Sequence, residues 1–196
     1  MNIRCFNLDG RDWWFGGGID LTPIYIVPAE AKFFHQALKS VCDQHDDAYY
    51  AKFKDRADRY FYLRHRKETR GVGGIFYDHL GRGDSDLSVA AGFAFSADVG
   101  RSFIPIYLEL VKKNRIRSYN DDQLYWQALR RSRYVEFNLL WDRGTKFGLD
   151  TDGRTESILM SMPPMAKWVY DHKTEPGSQE EKTQHLLKNP IDWVTN

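Results

Sequence analysis

Apolar and polar positions alternate from the first residues onward. Ile3, Cys5 and Leu8 mark one strand, and the aromatic run Asp12 to Phe15 resumes the pattern after Asp9-Gly10. An Asp-Gly pair between two such runs predicts an antiparallel hairpin. The period then changes. Pro28 can occupy the first turn of a helix whose apolar positions Ala31, Phe34, Ala37, Leu38 and Val41 recur at three and four residues, ending near Gln44. Tyr49, Phe53, Ala57, Tyr60 and Phe61 line one face of a second helix, which delivers His65 and Arg66 at its C-terminal end. Gly71, Gly73 and Gly74 stop it, and Ile75 to Tyr77 reads as a short buried strand.

Gly81 to Asp86 is a polar loop, followed by helical spacing over Leu87 to Val99 and again over Phe103 to Val111, with Pro105 placing the second start near itself. Asp121 and Asp122 favour a helix start through its dipole. Tyr134 to Trp141, rich in β-formers, predicts a strand turned by Asp142-Arg143-Gly144, and Asp152-Gly153 is a second turn. Ser157 to Met162 is a short apolar segment cut by Pro163 and Pro164, and Ser178 with Glu181 forms a capping box for a last helix. Strands separated by helix pairs predict an α+β fold with a mainly antiparallel sheet covered by helices. At 196 residues without an internal repeat, the expectation is a single domain over 1–196.

The stretch WWFGGGIDLTP from Trp13 departs from ordinary patterning, because three glycines separate an aromatic run from a carboxylate. Glycine gives up packing and costs backbone entropy, so a triplet fits where a ligand or a second chain segment comes too close for a Cβ. A glycine bulge at a sheet corner is the other reading, and the triplet alone leaves both open. No Gly-Lys-Ser/Thr ending and no helix directly after the glycines support a phosphate loop or a dinucleotide fingerprint.

Composition narrows the partners. The formal net charge is +1, which provides no global field for nucleic acid or a membrane surface. A mean hydropathy of −0.60 without a long apolar run argues against a membrane span, and the first ten residues lack a signal-peptide pattern, so the chain reads as cytoplasmic. Cys5 and Cys42 fit no zinc or redox spacing and read as core or partly buried thiols in a reducing compartment. The arginines are clustered, which suits a small polyanion better than a long phosphate backbone. His35 and His65 belong to no HExxH pattern, and no Gly-x-Ser-x-Gly elbow is present. The remaining constellation is Asp20 beside the glycines, Arg4 on the first strand, Arg66 and Arg70 around a glycine-rich turn, and Arg154. One carboxylate among guanidinium groups matches a ligand with central N–H donors and peripheral carboxylates; a turn cap and surface ion pairs account for the same residues structurally.

Four long motifs then carry a resemblance. WWFGGGIDLTP at Trp13, YFYLRHRKETRGVGGIFYDHL at Tyr60, RYVEFNLLWDRGTKFGL at Arg133 and GRTESILMSMPP at Gly153 resemble the oxygen-dependent coproporphyrinogen III oxidases, in order from Asn2 to Trp193. The resemblance implies a large, flat, mainly antiparallel sheet flanked by helices on both faces, working as a homodimer. It implies oxidative decarboxylation of two propionates of coproporphyrinogen III to vinyl groups, giving protoporphyrinogen IX, carbon dioxide and hydrogen peroxide, with oxygen as co-substrate and no required cofactor.

By the same resemblance Asp20 is the catalytic aspartate that engages the pyrrole N–H groups. Asn2, Ile3, Arg4, Arg66, Arg70, Asp152, Gly153 and Arg154 match substrate-binding positions, and Tyr134 to Val169 matches the dimerisation region. His35 and His65 match histidines assigned as metal ligands, although the chemistry can be written without a divalent metal. The family sequence extends upstream of Met1, and the histidine assigned as proton donor falls immediately before that position. The chain thus reads as N-terminally truncated relative to the family, which predicts an exposed sheet edge and reliance on dimerisation. Ser132 replaces the usual glycine of that family at an expected turn. An oxidase and a non-catalytic tetrapyrrole-binding or dimerising fragment are therefore the two readings carried forward.

Overall fold

The computed structural model describes residues 1–8, 12–83, 86–189 and 191–195. Strands β1 (Asn2–Asn7) and β2 (Trp13–Leu21) pair antiparallel with Asn7 opposite Trp13, as the hairpin pattern requires; the predicted Asp9-Gly10 turn lies outside the described residues. Strand β5 (Gly73–Leu80) pairs antiparallel with the other edge of β2, giving the order β1-β2-β5. A two-stranded ribbon, β3 (Tyr62–Leu63) with β4 (Glu68–Thr69), stands apart from this sheet. All pairings among the described residues are antiparallel. The sheet is small rather than the large one expected.

Helices α1 (Pro28–Asp43) and α2 (Tyr49–Tyr60) form as their spacing predicts, with Pro28 at the start of α1. Phe15 and Ile19 of β2 and Ile75 and Tyr77 of β5 face Phe34 and Leu38 of α1 and Phe95 and Val99 of α3 (Val89–Asn114) in one apolar cluster. Each fully buried side chain of this size contributes about 1.5–3 kcal/mol. The opposite sheet face carries Phe76, which packs with Ala57, Phe61, Leu63 and Phe137 in a second cluster. Helices therefore lie on both faces. Helix α2 serves both clusters, since Phe53 belongs to the first and Ala57 to the second.

Three local expectations are corrected. Helix α3 (Val89–Asn114) runs unbroken through Pro105. An interior proline costs about 3 kcal/mol, but Phe95 and Val99 before it and Ile106 and Leu110 after it are anchored in the same core. The predicted strand from Tyr134 to Trp141 is the second half of α4 (Asp121–Leu140), which Asn120 and Gln123 start with a reciprocal capping box. Local β preference yields there to tertiary contacts: Phe137 enters the second cluster while Glu136, one helical turn from Arg133, pairs with it at 3.1 Å. Ser132 consequently sits in a helix, not a turn, fully buried with its hydroxyl donating to the Leu129 carbonyl at 2.7 Å. The third correction concerns His65 and Arg66, which fall in the turn between β3 and β4 rather than at the end of α2.

Asp142 caps α5 (Arg143–Asp150) by accepting from the Thr145 backbone N–H. The short α6 (Thr155–Ile158) follows, then a 3-10 turn over Leu159–Ser161 and α7 (Gln179–Lys188), which Ser178 caps. Among the described residues, no helix is long and apolar enough to cross a membrane. The outer edge of β1 is unpaired among the described residues, and its residues Ile3 and Phe6 are exposed. Cys42 is buried as expected, but Cys5 is exposed on this strand, since an edge strand has no neighbour to cover it.

Candidate functional site

The glycine triplet lies in the middle strand, where both faces are occupied. A Cβ at Gly17 would stand 2.7 Å from the Tyr77 hydroxyl and from the Asn2 carbonyl, and one at Gly18 would stand 2.5 Å from the Ile75 carbonyl and 3.2 Å from the Phe76 ring. A Cβ at Gly16 would meet the Arg4 guanidinium and the Asp78 carboxylate, each at 3.1 Å. The register also shifts between Phe15 and Gly17. The bulge and the close approach thus occur together, and the approaching atoms belong to the chain itself. What this face offers a ligand is Arg4, Phe76 and Asp78, resting on glycine.

Arg4 stands opposite Gly16 on β1. Its guanidinium lies 3.9 Å from the Asp78 carboxylate and 5.9 Å from the Phe76 ring centre. Arg56 of α2 and Arg143 of α5 reach the same carboxylate at 3.8 and 3.9 Å. Tyr60 stacks on Phe76 at 4.5 Å and donates its hydroxyl to Asp142 at 2.8 Å, placing the α5 cap beside the same face. Asp78 and Arg56 had no role in the sequence reading; recognising that β5 extends past Tyr77 would have placed Asp78 beside Phe76 by period-2 alternation.

Asp20 lies four residues beyond Gly16, about 13 Å along the strand. Its carboxylate accepts from Arg70 Nη2. The Arg70 guanidinium is packed against the rings of Phe61, Phe137 and Tyr134 at 4.2, 4.7 and 5.1 Å, and its Nε is buried without a hydrogen-bond partner. Arg70 therefore fixes the Asp20 carboxylate and is itself held by aromatic faces.

Other predicted residues separate from this face. Arg66 donates from Nε and Nη2 to the two Glu136 oxygens at 2.8 and 2.6 Å. His65, Arg133 and Trp168 donate to the same carboxylate. Burial would raise the Glu136 carboxyl, but the hydrogen bonds from Arg66 and His65 and the charge of Arg133 outweigh it and bring it down to about 2. Asp152, Gly153 and Arg154 lie between α5 and α6. Among the described residues they have no hydrogen bond or ion pair to the sheet; the ion pair of Arg154 is with Glu156 at 4.0 Å, both well exposed. The Ile3 side chain turns towards α3, with its Cδ1 facing Gly100.

The two histidines do not share a donor set. His35 is fully buried, its Nε2–H donating to the Val72 carbonyl at 2.9 Å, which leaves Nδ1 to accept from the Tyr50 hydroxyl at 3.0 Å. Burial pushes its pKa down to about 4. Among the described residues, no group of three or more His, Cys, Asp or Glu side chains could hold a metal ion.

The sequence as a whole matches the family described as coproporphyrinogen III oxidase over residues 1–193. The chain belongs to the coproporphyrinogen III oxidase family. Curated relatives include an oxygen-dependent coproporphyrinogen-III oxidase of Drosophila melanogaster, 51% identical over 99% of this chain and 50% of its own length. The Francisella philomiragia enzyme of the same name is 49% identical over 98% of the chain and 62% of its own length, and a chloroplastic one from Glycine max is 49% identical over 99% and 51%. The chain spans about half to three-fifths of the length of these relatives. Among the residues that the family resemblance singles out, the glycine face gathers Asn2, Arg4, Asp20 and Arg70. The remainder lie in the Glu136 network, the α5–α6 connection or the core, except Ile3, which is exposed on β1 with its side chain towards α3.

Proposed function

We propose that this chain acts as an oxygen-dependent coproporphyrinogen III oxidase domain, a single domain over 1–196, converting two propionates of coproporphyrinogen III to vinyl groups. The observation that carries this reading is the pairing of a fixed carboxylate, Asp20, with a separate arginine cluster on one sheet face. A porphyrinogen offers central N–H donors and peripheral propionates, and the face offers an acceptor and guanidinium groups in the same two places.

In this reading Asp20 takes the proton of a pyrrole N–H, and the electron-rich ring delivers two electrons to oxygen. The resulting peroxide removes a hydrogen from the propionate β-carbon, and loss of carbon dioxide leaves the vinyl group. Each cycle consumes one oxygen and one proton and releases carbon dioxide and hydrogen peroxide. The chemistry can be written with no metal. Arg4 orients the propionate with Asn2 of the same strand, Ile3 contributing through its backbone alone, while Arg70 acts on Asp20. Arg154, with Asp152 and Gly153, approaches from the α5–α6 connection with its donors exposed. Arg66, committed to Glu136, shapes the site from a distance.

The chain pairs with a second copy through the region Tyr134 to Val169, where Leu140, Phe147, Met160 and Trp168 are exposed. Two free thiols, one exposed and one buried, fit a cytoplasmic, reducing setting. The test is incubation of the purified chain with anaerobically prepared coproporphyrinogen III, followed by admission of oxygen. Oxygen-dependent vinyl product is expected; tight binding without product would replace this reading with the non-catalytic one.

A further inference from the structure

Asp78 has an unusual position for a carboxylate on a ligand-facing surface. Its side chain is 14% exposed, and three guanidinium groups from three different elements converge on it: Arg4 of β1, Arg56 of α2 and Arg143 of α5. Their separations of 3.8–3.9 Å exceed hydrogen-bond length. The carboxylate therefore attracts all three without consuming their N–H donors. Arg56 spends one donor on the Asp78 backbone carbonyl at 2.9 Å, which ties α2 to β5. His79 Nδ1 stands 3.4 Å from the carboxylate, and the His79 backbone N–H donates to it at 3.1 Å.

The contrast with Glu136 is chemical. Glu136 sits within 3.1 Å of every donor it binds, so its arginines are committed. Around Asp78, three positive groups face one negative group and retain donors. Arg4 Nε is buried without a hydrogen-bond partner, and Gly16 provides the space that lets Arg4 and Asp78 approach. Without the carboxylate, three guanidinium groups would repel one another at close range.

We infer that Asp78 is a positioning residue: it holds Arg4 and Arg143, with Arg56 as a brace, in the orientation that receives a substrate carboxylate over the Tyr60–Phe76 stack. This rests on the proposed porphyrinogen reading and assigns one propionate to one cluster. Asp78 touches no reacting atom in this account. Its effect is on the geometry of the arginines.

The test measures affinity of the purified chain for coproporphyrin III, with four carboxylates, and for deuteroporphyrin IX, with two, by fluorescence titration. The parent chain binds the four-carboxylate probe more tightly; equal affinities would overturn both the porphyrinogen reading and this inference. Asp78→Asn is expected to weaken coproporphyrin III binding about tenfold, while deuteroporphyrin IX binding changes much less. An equal loss for both probes would indicate a merely structural role and sink the positioning claim. Tighter binding of coproporphyrin III would show instead that Asp78 competes with the ligand. Near-ultraviolet circular dichroism reports whether the variant is folded. If it is not, Asp78→Glu, which keeps the charge but moves it by one methylene, is read in its place: selective weakening supports the inference and parent-like affinity contradicts it.

Discussion

Two arginine–carboxylate centres in this molecule use the same residue types to opposite ends. Around Glu68 and Glu136, Arg66, Arg130 and Arg133 are bound at hydrogen-bond distance, with Arg130 donating to Glu68 at 2.7 Å and both partners nearly inaccessible. On the glycine face, Arg4, Arg56 and Arg143 surround Asp78 more loosely and remain partly exposed. A network saturated but for one buried Arg130 donor, Nη2, fixes helix α4 against the β3–β4 turn. A loose one leaves donors for a ligand. Residue identity alone does not distinguish them; donor occupancy does.

The largest effect expected from breaking this comparison is in the saturated centre. Glu136→Ala leaves Arg66, Arg133 and His65 without their acceptor; Arg133 is the largely buried one, and an unpaired buried charge costs at most about 3–5 kcal/mol, with the partly exposed Arg66 and His65 adding little. Denaturant unfolding should show this loss, whereas Asp78→Asn should lose far less stability. Equal losses would erase the distinction between the centres.

Acid separates buried groups by window. The folded-state pKa of His35, about 4, lies below its ordinary 6.5, so the fold favours the neutral ring. Its stabilisation is complete above the ordinary value and is lost as pH falls from about 6.5 to about 4, on the order of 3 kcal/mol. Glu136, lowered to about 2 from 4.5, keeps its contribution above 4.5 and loses it as pH falls from there towards 2. Glu136→Gln should flatten only the lower window of a stability–pH curve, and His35→Gln only the upper one. A curve unchanged in both variants contradicts these assignments.

A similar magnitude is expected in function from Asp20→Asn, which keeps an acceptor for Arg70 but removes the proton acceptor. Turnover should fall about 100-fold or more, with the circular dichroism spectrum unchanged. Near-parent turnover would remove Asp20 from the chemistry. The smallest effect belongs to Arg154→Ala: the side chain is 81% exposed, so stability should stay within about 0.5 kcal/mol of the parent. Its affinity loss for coproporphyrin III should be smaller than that of Arg4→Ala; the reverse order would move the propionate site to the α5–α6 connection.

Much of the fold was legible in local pattern. The β1–β2 strands, α1 and α2 followed from alternation, from Pro28 and from three-and-four spacing. Tyr134 to Trp141 misled because β-branched and aromatic residues pack equally well on a helix when a capping box starts it and the core fills one face. Pro105 misled because long-range anchoring outweighs a local break. At the site, the glycine motif pointed to Asp20, but pairing across distant segments decided the rest. No spacing rule connects Arg66 to Glu136, or Arg4 and Arg143 to Asp78, because those contacts depend on sheet order and helix placement.

The rival location for a ligand is an open cavity of ≈ 520 Å³ lined by Arg66 and Trp168 to Asp171, beside the saturated network. The most direct measurement is nuclear magnetic resonance of the labelled chain during titration with coproporphyrin III. The backbone amides of Gly16, Gly18 and Asp20 and the Nε resonances of Arg4 and Arg70 should shift together. Shifts confined to Arg66 and residues 168–171, with the glycine face unmoved, would contradict the account.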